Sequence, residues 1–201
     1  MRVLMIVAHP DDEVVFGFRD LIQNQVTVIS ITNGDNEERK KEFYNVMGSV
    51  GARGHMLNYA DAPDDTWSSV AVEDFYNNHI KALVKDAYGL SRYELLVSHG
   101  SDGEYGNKQH MRVHAIGRHV ASEMGLPFQT FRDRWRASDY PTHTAKYEKL
   151  VSFYVSQSKA IQTLANFFAT AKKEVGKNGK VVEGVLPDRR LLTKGFIKGL
   201  F

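Results

Sequence analysis

Residues Val3–Ala8 (VLMIVA) are apolar without a break, and His9-Pro10-Asp11-Asp12-Glu13 follow at once. A strand with one wet face alternates polar and apolar positions. A run with no polar position belongs to a strand covered on both faces, as in parallel sheets. The short basic start superficially resembles a secretory leader, but three acids follow and there is no small-residue cleavage site. The run therefore reads as a buried strand, and the chain as cytoplasmic. Ligands of open α/β sheets bind outside the carboxyl ends of the strands, which is where this acidic segment falls.

The rest of the chain supports a sheet of this kind. Apolar or β-branched runs at Val26–Ile31, His55–Tyr59, Tyr93–Ser98 and Pro127–Phe131 read as further strands. Between them, helical spacing is read over Glu13–Ile22, Glu37–Val50, Val72–Tyr88 and His110–Met124, with Gly51 and Gly54 as a helix stop. Strand and helix alternate, which predicts a Rossmann-like α/β fold: a parallel sheet sandwiched by helices. A long helix is expected over Tyr147–Phe168, and from Lys172 the chain turns basic. At about 100–200 residues per domain, 201 residues suggest a single domain. Its core is expected at about 1–157, with a helical or irregular basic C-terminal extension at about 170–201.

The sequence contains no cysteine, so thiolate metal sites and disulfide scaffolds are excluded. Any metal must be held by His, Asp or Glu. No stretch is long enough for a membrane span. The net charge of +2, from 26 basic and 24 acidic residues, does not argue for nucleic acid, though it does not forbid it.

Two segments carry the chemistry. Three acids at the tip of a buried strand need a compensating cation, and a divalent metal supplies more than a helix N-terminus does. After the fourth strand, Ser98-His99-Gly100-Ser101-Asp102-Gly103-Glu104-Tyr105-Gly106-Asn107-Lys108-Gln109-His110 is a glycine-punctuated loop ending in a His at a helix start. His9 and Asp12 with His110 make a two-His, one-carboxylate set. Such a set leaves positions open for water, as catalytic zinc requires; ferrous iron accepts the same ligands. His114, one helical turn beyond His110, is a competing ligand. His99 is a candidate support behind the ligands, substrate contact or proton donor, and Glu13 a residue that orients a ligand or caps the helix.

AHPDDE after the first strand, paired with HGSDGEYGNKQH after the fourth, resembles the PIG-L/LmbE-like family of metal-dependent N-deacetylases. Thr32-Asn33-Gly34-Asp35, Arg39-x-x-Glu42 and Tyr154-x-Ser156-Gln157 are weaker matches, so the resemblance reaches from Met1 to about Gln157. It implies a hydrolase that removes an acetyl group from an N-acetylglucosamine-type amino sugar or its conjugate. It also implies zinc held by His9, Asp12 and His110, with Asp11 as general base on the zinc-bound water. Tyr105 would polarise the substrate carbonyl and Arg39 would contact substrate. Where many members carry a second His three residues before the last ligand, this chain has Asn107. Asn donates a hydrogen bond but cannot shuttle a proton. Asn107 therefore keeps an oxyanion role open and leaves the acid role to Asp11 or His99. The alternatives are an amidase on another N-acyl or thiol-sugar conjugate, and a metal- or ligand-binding module impaired by Asn107.

Two further clusters stand out. Arg132, Arg134 and Arg136 around Trp135 could bind an anionic group, with a solvated edge as the plainer reading. Asp61, Asp64 and Asp65 read as a solvated loop that could line the rim of the site. A homo-oligomer is compatible with the sequence.

Overall fold

In the computed structural model, the described residues are 1–62, 67–88, 93–134, 144–159 and 161. Five strands form one sheet: β1 (Arg2–Val7), β2 (Gln25–Thr32), β3 (Arg53–Tyr59), β4 (Leu95–Ser98) and β5 (Phe128–Thr130). Their order is β3-β2-β1-β4-β5 and every pairing is parallel. The order reverses at β1, so the gap between the carboxyl ends of β1 and β4 is the topological switch point, where doubly wound sheets take their ligands.

The unbroken apolar run has the expected consequence. Val3, Met5 and Val7 pack into one core and Leu4, Ile6 and Ala8 into the other, all fully buried. Helices α1 (Asp12–Val15), α2 (Phe18–Gln23) and α3 (Glu37–Val50) cover the first face. The second is covered by α4 (Val72–Phe75), a π-helical turn (Tyr76–Ile80), α5 (Lys81–Tyr88) and, beyond α6 (Gly103–Gly106), α7 (Lys108–Met124). Short α8 (Phe131–Arg134) and α9 (Thr144–Val151) return to the first face through Phe131 and Leu150. The capping chemistry of α3 is written locally. Asn36 Oδ1 accepts from the amides of Glu38 and Arg39 at 3.1 and 3.2 Å, and Gly51 (φ 70°) ends the helix in the left-handed region.

Three expectations change. The helix expected over Glu13–Ile22 is two helices broken at Phe16–Gly17. Gly17 lies so close to β1 that a Cβ there would stand 2.6 Å from Met5 Cε, so the backbone itself packs on the sheet. The helix expected over Val72–Tyr88 contains the π-helical turn. The helix expected over Tyr147–Phe168 is interrupted: it stops at Val151, and helical residues return at Ser158, Lys159 and Ile161. Tyr154 then adopts φ −90°, ψ 62°, a 3-10 turn spans Val155–Gln157, and Tyr154 is fully buried. A long-range contact of Tyr154, described below, overrides the helical spacing. The rest of that expected helix, from residue 162, and the basic extension lie outside the described residues, as do Asp64, Asp65, Trp135 and Arg136. Among the described residues no helix is long and apolar enough to cross a membrane.

Candidate metal centre and active site

β1 and β4 pair from Val3↔Leu95 to Ile6↔Ser98, so the loops that follow them leave the sheet side by side. One carries His9 and leads into Asp12 at the start of α1. The other leads through α6 to α7, whose N-cap is Asn107. Asn107 Oδ1 accepts from the amides of Gln109 at 2.8 Å and His110 at 3.2 Å, which fixes the first turn of α7 and with it His110.

Donor atoms of three residues, His9, Asp12 and His110, converge there. His9 Nδ1 lies 3.3 Å from Asp12 Oδ2, His110 Nε2 lies 3.3 Å from His9 Nδ1, and His110 Nε2 lies 3.5 Å from Asp12 Oδ1. A tetrahedral ion with bonds of 2.0–2.1 Å has ligand–ligand edges of roughly 3.3–3.4 Å. The 3.3 Å edge between His9 and His110 matches that spacing, while the two distances to Asp12 end on different carboxylate oxygens; one donor atom from each of the three residues lies within 4.8 Å of the others.

The outer hydrogen bonds set both tautomers for this task. Gln109 donates its amide N–H to the carbonyls of Ala62 at 3.3 Å and Ala60 at 3.5 Å, so its Oε1 faces His9 Nε2 at 2.5 Å. His9 therefore carries its proton on Nε2 and presents the Nδ1 lone pair. His110 Nδ1 donates to Glu104 Oε2 at 2.8 Å, which frees Nε2. Burial alone would raise the Asp12 carboxyl, but the imidazoles of His110, His99 and His9 outweigh it and hold Asp12 well below the usual range. Burial and the neighbouring His99 lower His110. Burial also opposes protonation of His9, but Asp12 and Asp61 outweigh it and push His9 well above its usual value. A cation arriving at Nδ1 therefore displaces a proton.

Asp11 sits between Pro10 and Asp12 with φ 139° and ψ −28°, a conformation rare for a side-chain-bearing residue. Its amide donates to Glu13 Oε2 at 3.0 Å, and its carboxylate lies 3.6 Å from Arg39 Nη2. Burial pushes the Asp11 carboxyl up to about 7 against the pull of Arg39, which places it where a group can both take and return a proton near neutrality. Burial pushes Glu13 up to about 8. Glu13 accepts from the Tyr154 hydroxyl, so it holds the Asp11 backbone rather than a metal ligand.

The remaining expected residues divide. The Tyr105 ring stands edge-on to His110 at 5.3 Å, and burial pushes its phenol above the usual value, so it stays a proton-bearing donor. Asn107 spends Oδ1 on the cap and points Nδ2 at the Tyr105 hydroxyl at 3.4 Å. His99 offers no surface to a substrate because it is fully buried. Its Nε2 accepts from the Ala8 amide at 3.1 Å and lies 3.2 Å from Asp12 Oδ2, while Nδ1 faces Glu104 Oε2 at 2.9 Å. It therefore braces the centre from behind. Arg39 is also buried: Nη2 donates to the Pro10 carbonyl and Nη1 lies 3.6 Å from Glu42 Oε2. That commits Arg39 to holding the Pro10–Asp11 loop.

His114 is turned away from the metal set, with Nδ1 on the His99 carbonyl at 2.8 Å. Arg132 pairs with Asp102 at 2.7 Å through Nη2 and stays partly exposed, while Arg134 is held against the buried Asp20 at 2.5 Å. Asp61 belongs to the centre, with Oδ1 at 3.3 Å from His9 Nε2. Gln109 and Glu104 were not singled out in the sequence. The only sequence signal for them was proximity to His110, and their partners lie across the fold.

A parallel α/β sheet with a buried two-His, one-carboxylate set at its switch point, flanked by Asp11, offers a candidate metal centre beside an acid–base group. Residues 4–121 match the family model of PIG-L, GlcNAc-PI de-N-acetylase, and the chain belongs to that family. It is 25% identical over 193 residues to an uncharacterised protein of Acanthamoeba polyphaga mimivirus, covering 87% of this chain and 80% of that protein. It is 30% identical over 173 residues to the 1D-myo-inositol 2-acetamido-2-deoxy-alpha-D-glucopyranoside deacetylase of Corynebacterium glutamicum, covering 69% and 56%. It is 26% identical over 141 residues to the N-acetylglucosaminyl-phosphatidylinositol de-N-acetylase of Bos taurus, covering 63% and 53%. The chain thus spans about half the length of these named deacetylases. The crystal structure of Dbv21, a deacetylase of an antimicrobial pseudoaglycone, superposes with a TM-score of 0.51 at 17% identity, over 63% of this chain and 61% of that one, and supports the fold.

Proposed function

We propose that this chain is a zinc-dependent N-deacetylase acting on an N-acetylglucosamine-type amino sugar or its conjugate, with residues 1–157 as its core. The observation that carries the reading is the donor set of His9, Asp12 and His110, with Asp11 beside it raised to about 7. The names of the corynebacterial and bovine relatives supply the substrate class.

His9 Nδ1, Asp12 and His110 Nε2 would hold the zinc. Bound there, zinc supplies a Lewis acid that brings the pKa of water to about 7 and polarises an acyl oxygen. Asp11 takes a proton from the attacking water as oxygen adds to the acetamide carbon. Tyr105 donates its O–H to the oxyanion that develops, and Asn107 Nδ2 lies beside that hydroxyl to assist it. As the C–N bond breaks, Asp11 returns the proton to the nitrogen, releasing the free amine and acetate. Asn107 cannot carry that proton, and His99 is sealed away from substrate, so Asp11 serves in both directions.

The test is free-amine detection with zinc-loaded protein across a panel of N-acetylated amino sugars and conjugates, with larger N-acyl and thiol-sugar conjugates alongside. Amine release from the N-acetyl sugars is expected. Release only from other acyl groups moves the substrate class. No release from any substrate at full metal loading overturns the enzyme reading. A gain of activity in Asn107→His from such an inert protein would identify Asn107 as the cause.

A further inference from the structure

We propose that Tyr154 is a positioning residue for Asp11. Through Glu13, its hydroxyl keeps the Asp11 backbone in the strained conformation from which the Asp11 carboxylate acts. The inference rests on the reading of Asp11 as general base, and it assigns a role to a residue beyond the matched span 4–121.

Asp11 at φ 139° is a side-chain-bearing residue in a region that favours glycine, so its surroundings must hold it there. Its carbonyl is held by the amides of Val14 and Val15, both at 2.9 Å, and its own amide has one acceptor, Glu13 Oε2 at 3.0 Å. Glu13 is fully buried and divides its carboxylate: one oxygen takes the Asp11 amide, and the other takes the Tyr154 hydroxyl. Tyr154 lies 141 positions away, and the chain leaves helix α9 to bring it there. With that hydroxyl removed, a buried carboxylate oxygen loses its donor and Glu13 gains freedom to turn away from Asp11.

The same segment braces Asp11 from a second side. The Arg39 guanidinium, which donates to the Pro10 carbonyl, stands 5.6 Å above the Tyr154 ring. Its Nη1 reaches Ser156 Oγ at 3.5 Å. Ser156 is itself fixed on Glu42, by its amide at 2.7 Å and its hydroxyl at 2.6 Å. Tyr154 and Ser156 therefore close on the Pro10–Asp11 loop from the far end of the described chain.

The test is Tyr154→Phe in the full chain, which keeps the ring over Arg39 and removes only the hydroxyl. Turnover on the substrate found above is expected to fall about 10–100-fold, as for a reacting group displaced by about an ångström. KM and zinc affinity are expected to stay within about twofold, because neither ligands nor binding contacts change. In an Asp11→Asn background the same substitution should change residual turnover by less than about twofold, since its effect runs through Asp11. A crystal structure of Tyr154→Phe should show Asp11 away from φ 139°. Glu13→Leu removes both acceptor oxygens, cuts the link from the other side and should reproduce the pattern if Tyr154→Phe fails to fold. Equal losses in both backgrounds, a parallel loss of zinc affinity, or an unmoved Asp11 in the crystal would overturn the proposal. If wild-type protein is inert on every substrate, the deacetylase reading fails by itself and the crystal comparison alone decides the role of Tyr154.

Discussion

Nδ1 of His9 and Nε2 of His110 lie 3.3 Å apart, although 101 positions separate the two residues in the chain. Gln109 and Glu104 take the protons of the other two ring nitrogens, so lone pairs face each other across this gap. Two lone pairs at that distance repel unless a proton or a cation lies between them.

His110→Ala should therefore cost more metal affinity than the 10–100-fold typical of residues that only orient a ligand, that is, more than about 100-fold. Equilibrium dialysis with metal analysis reads this directly. Zinc should also raise the melting temperature of the wild type, since a ligand at 100 times its Kd adds about 2.7 kcal/mol. The variant should show no such rise.

Glu104→Gln tests the brace behind the ligands. One oxygen of Glu104 takes both His110 Nδ1 at 2.8 Å and His99 Nδ1 at 2.9 Å, and the other takes the Gly100 amide at 2.7 Å. An amide can serve one side of that arrangement but turns a donor toward the other. Zinc affinity should drop about 10–100-fold while the near-ultraviolet dichroism stays native. Unchanged affinity would show that His110 needs no partner to stay in place.

Asn107→Ala removes the cap of α7. A lost N-cap typically costs about 1 kcal/mol, and denaturant unfolding of the zinc-free protein should show it. Asn107→Ser keeps a capping oxygen and should recover most of the loss. If both variants are equally destabilised, the cap is not what Asn107 contributes.

The first and fourth strands and their loops were legible because their signal is local. An unbroken apolar run followed by His9 and Asp12, and a second strand ending in a glycine-rich loop with His110, are visible in one dimension. The supporting residues were not legible. Gln109 means nothing without His9, its partner 100 positions away, and Asp61 resembles any acid in a polar loop until β3 delivers it to the same imidazole. The partners of Arg132 and Arg134 were hidden for the same reason, because Asp102 and Asp20 lie 30 and 114 positions away. The helix expected over Tyr147–Phe168 is interrupted between Val151 and Ser158, where Tyr154 turns inward to reach Glu13.

Gly54→Val sets packing against propensity. Gly54 lies in β3, where a β-branched residue is ordinarily favoured. A Cβ there would meet Phe43 Cε1 at 2.5 Å and Met47 Cγ at 2.8 Å, both on α3 and both buried. Overpacking of this kind costs about 1–3 kcal/mol, so unfolding experiments should find the variant less stable. A more stable variant would mean that α3 can move away from the sheet freely.

Zinc content and amine release, measured together on the wild type and on Asp11→Asn, test the central claim most directly. Asp11 lies next to Asp12 but outside the donor set of His9, Asp12 and His110. Both proteins should bind zinc equally, and the wild type should release free amine from an N-acetylated amino sugar. In the variant, turnover should fall about 10²–10⁴-fold, the usual worth of a positioned acid–base group. Undiminished turnover in Asp11→Asn, or a zinc-loaded wild type that releases no amine, would contradict the account.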